Sequence, residues 1–191
     1  MQLVVGLGNP GRRYVGTRHN IGYSVLDLLV DRHRLEWESA PSDAIMAKWR
    51  AAGALLAKPL TFMNLSGHAV CDLLRFFKVD LPDLLVVVDE VNLDLGRLRA
   101  RRAGSAGGHN GLKSLIEQIG TGDFARLRIG VGRGDARRDL ADHVLARFDP
   151  SEREVVAETV SRAADAVELF VAEGIEPVMN RFNRKEDRVQ E

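Results

Sequence analysis

Apolar positions along the chain fall into two kinds of run. Leu3-Val4-Val5-Gly6-Leu7 and Leu84-Leu85-Val86-Val87-Val88 are continuous, the pattern of strands covered on both faces, and Leu127-Arg128-Ile129-Gly130-Val131 reads as a further strand. Ile45 to Arg50 and Ala54 to Ala57 are shorter and predict a hairpin turning at Ala52-Gly53. Arg97-Leu98-Arg99-Ala100-Arg101 alternates with period two, which predicts a strand with three arginines on one face. The other kind of run repeats every three or four residues. Ile21, Val25, Leu28 and Leu29 mark a helix that Asn20 can cap and that runs to about Arg34. Leu65 to Phe77 is a second helix, and Leu112, Leu115, Ile116 and Ile119 mark a third, stopped by Gly120. Val155, Val156, Val160, Ala163, Ala164, Val167 and Phe170 form the inward stripe of a helix from Ser151 to Ala172. This alternation predicts an α/β fold, a single-domain sandwich with a mixed, mostly parallel central sheet flanked by helices, over residues 1–191 with no linker or repeat.

No apolar run reaches transmembrane length, and the chain enters a strand-like segment at Met1 without the pattern of a signal peptide, so a cytoplasmic protein with no membrane partner is expected. The single cysteine, Cys71, falls in the stripe of Ala69, Val70, Leu73 and Leu74, where it packs; one cysteine allows no disulfide within the chain. The formal charge is zero, from 27 basic and 27 acidic residues, which argues against a generic nucleic-acid binder. The average hides a dipole. Arg97 to Arg138 holds ten Arg or Lys against three acids, a net of +7, whereas Asp149 to Glu176 holds two basic and eight acidic residues, a net of −6. Such segregation suits a local footprint for a polyanion.

Gly6-Leu7-Gly8-Asn9-Pro10-Gly11 matches the GxGxxG dinucleotide fingerprint literally. The fingerprint requires that its third glycine open a helix and that an acid end the next strand. Here Pro10 forces a turn, and Asp27 and Asp31 fall within a helical pattern, so a nicotinamide or flavin cofactor is not expected. In open α/β sheets functional groups gather at the carboxyl ends of strands. That rule selects Asn9 after the first strand, Asp89 and Glu90 after the valine-rich strand, and the loop Gly104 to Asn110 before a helix. Asn64 and Asn110 precede helical patterns and read either as caps or as groups approaching a substrate. His19 lies beyond the first glycine loop; if it meets Asp89, the carboxylate fixes its tautomer and makes it a general base near neutral pH. His109 either adjoins the site or only lines its loop. No GxSxG elbow and no zinc-ligand spacing occur, while Asp89, Glu90 and Asp94 read either as a Mg²⁺ set or as exposed acids. The remaining chemistry is base-activated water attacking a carbonyl.

The full set of motifs closely resembles bacterial-type peptidyl-tRNA hydrolase: GLGNPG with Tyr14 and Thr17-Arg18-His19-Asn20, Lys58 to Gly67, Asp89-Glu90, Gly107 to Lys113 and Arg126 to Gly130, in that order from Leu3 to about Phe182. The resemblance implies hydrolysis of the ester between an N-blocked peptide and the terminal ribose of tRNA, with His19 activating water and Asp89 holding it. It implies that Asn9 distinguishes an N-blocked peptide, that Tyr14, Phe62, Asn64 and Asn110 line the site, and that Asn110 orients water or the oxyanion. Arg101 and Arg128 match positions that clamp the tRNA 5′-phosphate. Peptidyl-tRNA is then the partner of a monomer needing no metal or other cofactor and no obligatory protein partner. Two departures stand out, Asn92 for the family's usual acid with Asp94 for its common proline, and Arg133 to Arg138 without the usual proline-containing turn. An inactive RNA-binding member is the main rival, against which His19, Asp89, Asn9 and Asn110 weigh together.

Overall fold

Leu84–Glu90 (β5) is buried at every position, because it sits at the heart of a sheet with helices on both faces. The computed structural model of the chain describes residues 1–184. Its strands are Gln2–Gly6 (β1), Glu38–Ser39 (β2), Ala44–Trp49 (β3), Ala54–Pro59 (β4), β5, Leu98–Arg101 (β6) and Ala125–Gly130 (β7), in the spatial order β2-β3-β4-β1-β5-β7-β6. β4, β1, β5 and β7 are parallel neighbours, while β3 and β6 run against the strands beside them. The predicted hairpin is β3–β4, closed through Gly53 in the left-handed conformation at φ 65°.

Side-chain alternation along β5 separates two cores. Leu85 and Val87 face a cluster built on helices Ile21–Arg32 (α1), Arg153–Glu173 (α5) and Ile175–Phe182 (α6). Val86 and Val88 face another, built on Ser66–Phe77 (α2) and Asn110–Ile119 (α3). The continuous apolar run is thus the mark of a strand buried on both sides. On β6 only Leu98 and Ala100 turn inward, and the strand begins at Leu98, so two of the three expected arginines, Arg99 and Arg101, share its outer face. The free edge of β6 is closed by Asn183, whose side chain accepts from Ala100 N at 2.7 Å and donates to its carbonyl at 2.9 Å.

The approach of α1 to the sheet sets where the segment before it lands. A methyl group built on Gly22 would lie 2.5 Å from the carbonyl oxygen of Val87 and 2.8 Å from the amide of Leu7, both backbone atoms that cannot swing aside. Alanine is the better helix former by about 1 kcal/mol, yet overpacking against rigid backbone costs about 1–3 kcal/mol. Gly22→Ala is therefore expected to lower the urea midpoint with an unchanged slope, a net loss of up to about 2 kcal/mol; an equal or higher midpoint would show that α1 has room to withdraw.

Candidate active site

The loop after β1 and the turn before α1 are tied together by one asparagine. Asn20 Oδ1 accepts from the Asn9 amide at 2.9 Å, and its Nδ2 donates to the Asn9 carbonyl at 2.9 Å. The expected cap is thereby corrected: Asn20 starts α1 but makes no side-chain cap bond, because both ends of its amide are spent across the loop. Asn9 in turn accepts from Met63 N at 2.7 Å through Oδ1, which joins the segment after β4 and leaves its Nδ2 without a partner among the described residues. The neighbouring Arg18 is buried, paired with Glu152 through two bonds of 2.9 and 3.4 Å, and stacked 4.7 Å from the Phe148 ring. These contacts fix His19 from both sides in sequence.

His19 Nδ1 lies 2.9 and 3.0 Å from the two oxygens of Asp89, at the end of β5. A second imidazole reaches the same group, His109 Nε2 at 2.8 Å from Oδ1. His109 is therefore more than loop lining. Burial by itself would raise the Asp89 carboxyl, but electrostatic attraction to the His109 and then the His19 N–H groups, and the hydrogen bonds those groups donate, override it and hold the carboxyl well below the usual carboxylate range. With Nδ1 engaged by the carboxylate, His19 keeps Nε2 for solvent or substrate, and its side chain is 10% exposed.

The same three residues offer ligand atoms within 4.8 Å of one another. They do not fit a metal ion. His109 Nδ1 accepts from the Gly111 and Leu112 amides at 3.1 and 3.3 Å, so the network assigns its proton to Nε2, the nitrogen a metal would need bare. Nor do Asp89, Glu90 and Asp94 converge, since Glu90 pairs with Arg128 and Asp94 is exposed.

The glycine loop after β6 returns over β7 and is stapled there by Arg126. This fully buried guanidinium donates to the carbonyls of Phe124, Gly104, Ser105 and Gly122 at 2.7–3.2 Å, and burial pulls its pKa down to about 10. Arg128 bonds Glu90 and the Ser105 carbonyl. Arg101 and Arg128 line a cavity of about 310 Å³ together with Arg99, whereas Arg102 is paired with Glu176. A separate cleft of about 390 Å³ holds His19, Asp89, His109 and Asn110, with Leu140–Val144 (α4) and Arg133 on its far wall. Glu90 and Asn92 line both, so the two cavities share a wall. Tyr14 is half-buried, and Phe62 and Asn64 are exposed; all three stand on adjoining segments outside the lining of that cleft. Sequence reasoning missed the roles of Asn20, His109 and Arg126 and the whole of α4. Only adjacency in sequence to predicted residues pointed toward the first two.

Fold and cleft together suit a class, a hydrolase built on an α/β sheet whose cleft has no serine, threonine or cysteine among the described residues that line it. The family model described as peptidyl-tRNA hydrolase matches residues 3–190, and the chain belongs to that family. Among its relatives, the peptidyl-tRNA hydrolase of Chloroflexus aggregans is 47% identical over 186 residues, covering 96% of this chain and 99% of that protein. That of Lachnospira eligens is 43% identical, covering 96% of this chain and 100% of that protein. The crystal structure of peptidyl-tRNA hydrolase from Acinetobacter baumannii superposes with a TM-score of 0.89 at 32% identity, over 96% of this chain and 94% of that one.

Removing the Asn20 side chain leaves the buried Asn9 amide and carbonyl without their partners. Asn20→Ala is expected to cost about 1–3 kcal/mol in stability and to lower turnover as the loop loosens. Thermal unfolding and initial rates on the same preparation check both; full activity would show that the loop holds its shape unaided.

Proposed function

We infer that this chain hydrolyses the ester between an N-blocked peptide and the 3′-terminal ribose of tRNA, releasing the peptide and free tRNA, as one domain over residues 1–191. The observation that carries the reading is the His19–Asp89 pair in the cleft of a member of this family. His19 Nε2 takes a proton from water as the oxygen bonds to the ester carbonyl. The tetrahedral intermediate then collapses, and the imidazolium returns the proton to the departing ribose oxygen. Asn110, the first residue of α3, takes the role of favouring negative charge on the carbonyl oxygen, through its side-chain amide and the helix N-terminus. The Nδ2 of Asn9, without a partner among the described residues, suits the acceptor carbonyl of an N-acyl group, which a free aminoacyl ester lacks. Tyr14, Phe62 and Asn64 serve the remaining acyl and nucleotide parts. The protein acts as a monomer in the cytoplasm, without a metal; no helix of the described residues is long and apolar enough to cross a membrane.

The test is loss of N-acetyl-aminoacyl ester from tRNA in the presence of EDTA. Cleavage is expected to continue, His19→Ala to lower it ~10²–10⁴-fold while tRNA binding persists, and Asp89→Asn to move the acid limb of the pH profile downward. Binding without cleavage by the native protein would leave an RNA-binding member of the family, and a loss restored by Mg²⁺ would return a metal to the site.

Arg101 and Arg128 are the proposed clamp for the tRNA 5′-phosphate, which carries more charge and more free oxygens than an internal phosphodiester. Arg101 has no partner among the described residues, whereas Arg128 shares its charge with Glu90. Arg101→Ala is expected to raise KM for 5′-phosphorylated substrate with kcat little changed. If both Arg101→Ala and Arg128→Ala keep the native preference over dephosphorylated substrate, the clamp is elsewhere.

A further inference from the structure

We propose that His109 is a positioning residue, locked as the neutral Nε2–H imidazole, which by donating to Asp89 limits how strongly that carboxylate draws a proton onto His19. The inference rests on the reading of His19 as the general base. Its geometry is that of one rigid ring with two tasks. Nδ1 takes the place of a helix cap at the start of α3, accepting from Gly111 N and Leu112 N, while Nε2 reaches Asp89 Oδ1 at 2.8 Å. Helix starts usually use Ser, Thr, Asp or Asn as the acceptor. An aspartate here would set a second carboxylate beside Asp89, and a serine would leave Asp89 without its second donor. Two residues on, a methyl on Gly111 would meet Met63 Sδ at 2.6 Å, Leu7 Cδ1 at 2.7 Å and His109 Cε1 at 3.0 Å, so the ring is one of three groups packed against that glycine.

A second proton on His109 would have to enter at Nδ1, where two amide N–H groups already point, so charging the ring would cost both bonds. His109 therefore remains a constant donor while His19 cycles. The carboxylate divides its lone pairs between the two rings, whose centroids are 5.0 Å apart. With the His109 donor gone, Asp89 turns wholly to His19, and the positive end of the Nε2–H dipole no longer opposes an imidazolium next to it. Both effects make His19 hold its proton to higher pH. The other charged and titratable groups around this trio are Glu90, paired with Arg128; Arg18, paired with Glu152; His143 of α4, bonded to the Gly132 carbonyl; and Arg133 on the cleft wall. None of them bonds Asp89, His19 or His109 among the described residues.

Two measurements test this. In the intact protein, ¹⁵N NMR of the histidine side chains should show His109 neutral, protonated at Nε2, from about pH 5 to 8, the range over which ordinary histidines titrate. This readout needs no substrate, so it stands or fails apart from the hydrolase reading. His109→Ser keeps a capping oxygen but cannot reach Asp89, and it should move the acid limb of the kcat/KM profile upward by about one pH unit, opposite to Asp89→Asn. Titration of His109 within that range, a proton on its Nδ1, or an acid limb that stays in place in a folded His109→Ser variant would each overturn the proposal.

Discussion

A carboxylate buried at the end of a central strand must be satisfied by the protein, and Asp89, with a side chain 2% exposed, is satisfied by two imidazole N–H groups. Much of the surrounding structure serves those two donors. His19 comes from 70 residues earlier and is held by the Asn20 bracket on one side and the Arg18–Glu152 pair on the other. His109 comes from 20 residues later and is held by the start of α3 and by the loop that Arg126 staples to β7. Leaving a buried charge unpaired costs about 3–5 kcal/mol. The same interactions that satisfy a charge thus orient a base, and stability and chemistry are linked through one side chain.

The division of charge along the sequence has a comparable logic in three dimensions. Acids of α5 and its flanks are spent on pairing individual cations, in Arg32 with Asp165 and Glu168, Arg18 with Glu152 and Arg102 with Glu176. Arg99 and Arg101 are left without partners among the described residues, around the cavity next to the cleft. The shared wall carries the Glu90–Arg128 pair, so the two cavities meet at a locally balanced boundary. A chain of zero formal charge can in this way keep a basic surface, because the neutralisation happens elsewhere.

The elements that could be read from the sequence were those whose burial is periodic. β5 and the stripes of α1, α2 and α3 repeat at spacings that neighbouring residues encode by themselves. α4 escaped notice because its five residues bury only His143, so it has no stripe, and α6 because two buried residues, Val178 and Phe182, are too few to mark a period. The long helix was placed to within a residue at its end, Glu173 against the expected Ala172, before Gly174 breaks the chain direction at φ 84°.

By itself the sequence determined the layers, the carboxyl-edge location of Asn9 and Asp89, and the motifs that define the family, since each depends on local spacing or on residue identity. The tertiary structure decided which polar groups meet. Asn20 reads as a cap from its neighbours, but its partner is 11 residues back; Arg18 finds Glu152 after 134 residues, and His109 becomes both cap and donor only when α3 starts beside β5. Apolar burial is non-directional and tolerates any neighbour of suitable shape, so its pattern survives projection onto one dimension. A hydrogen bond depends on a particular atom at a particular distance and angle, and only the folded chain supplies those.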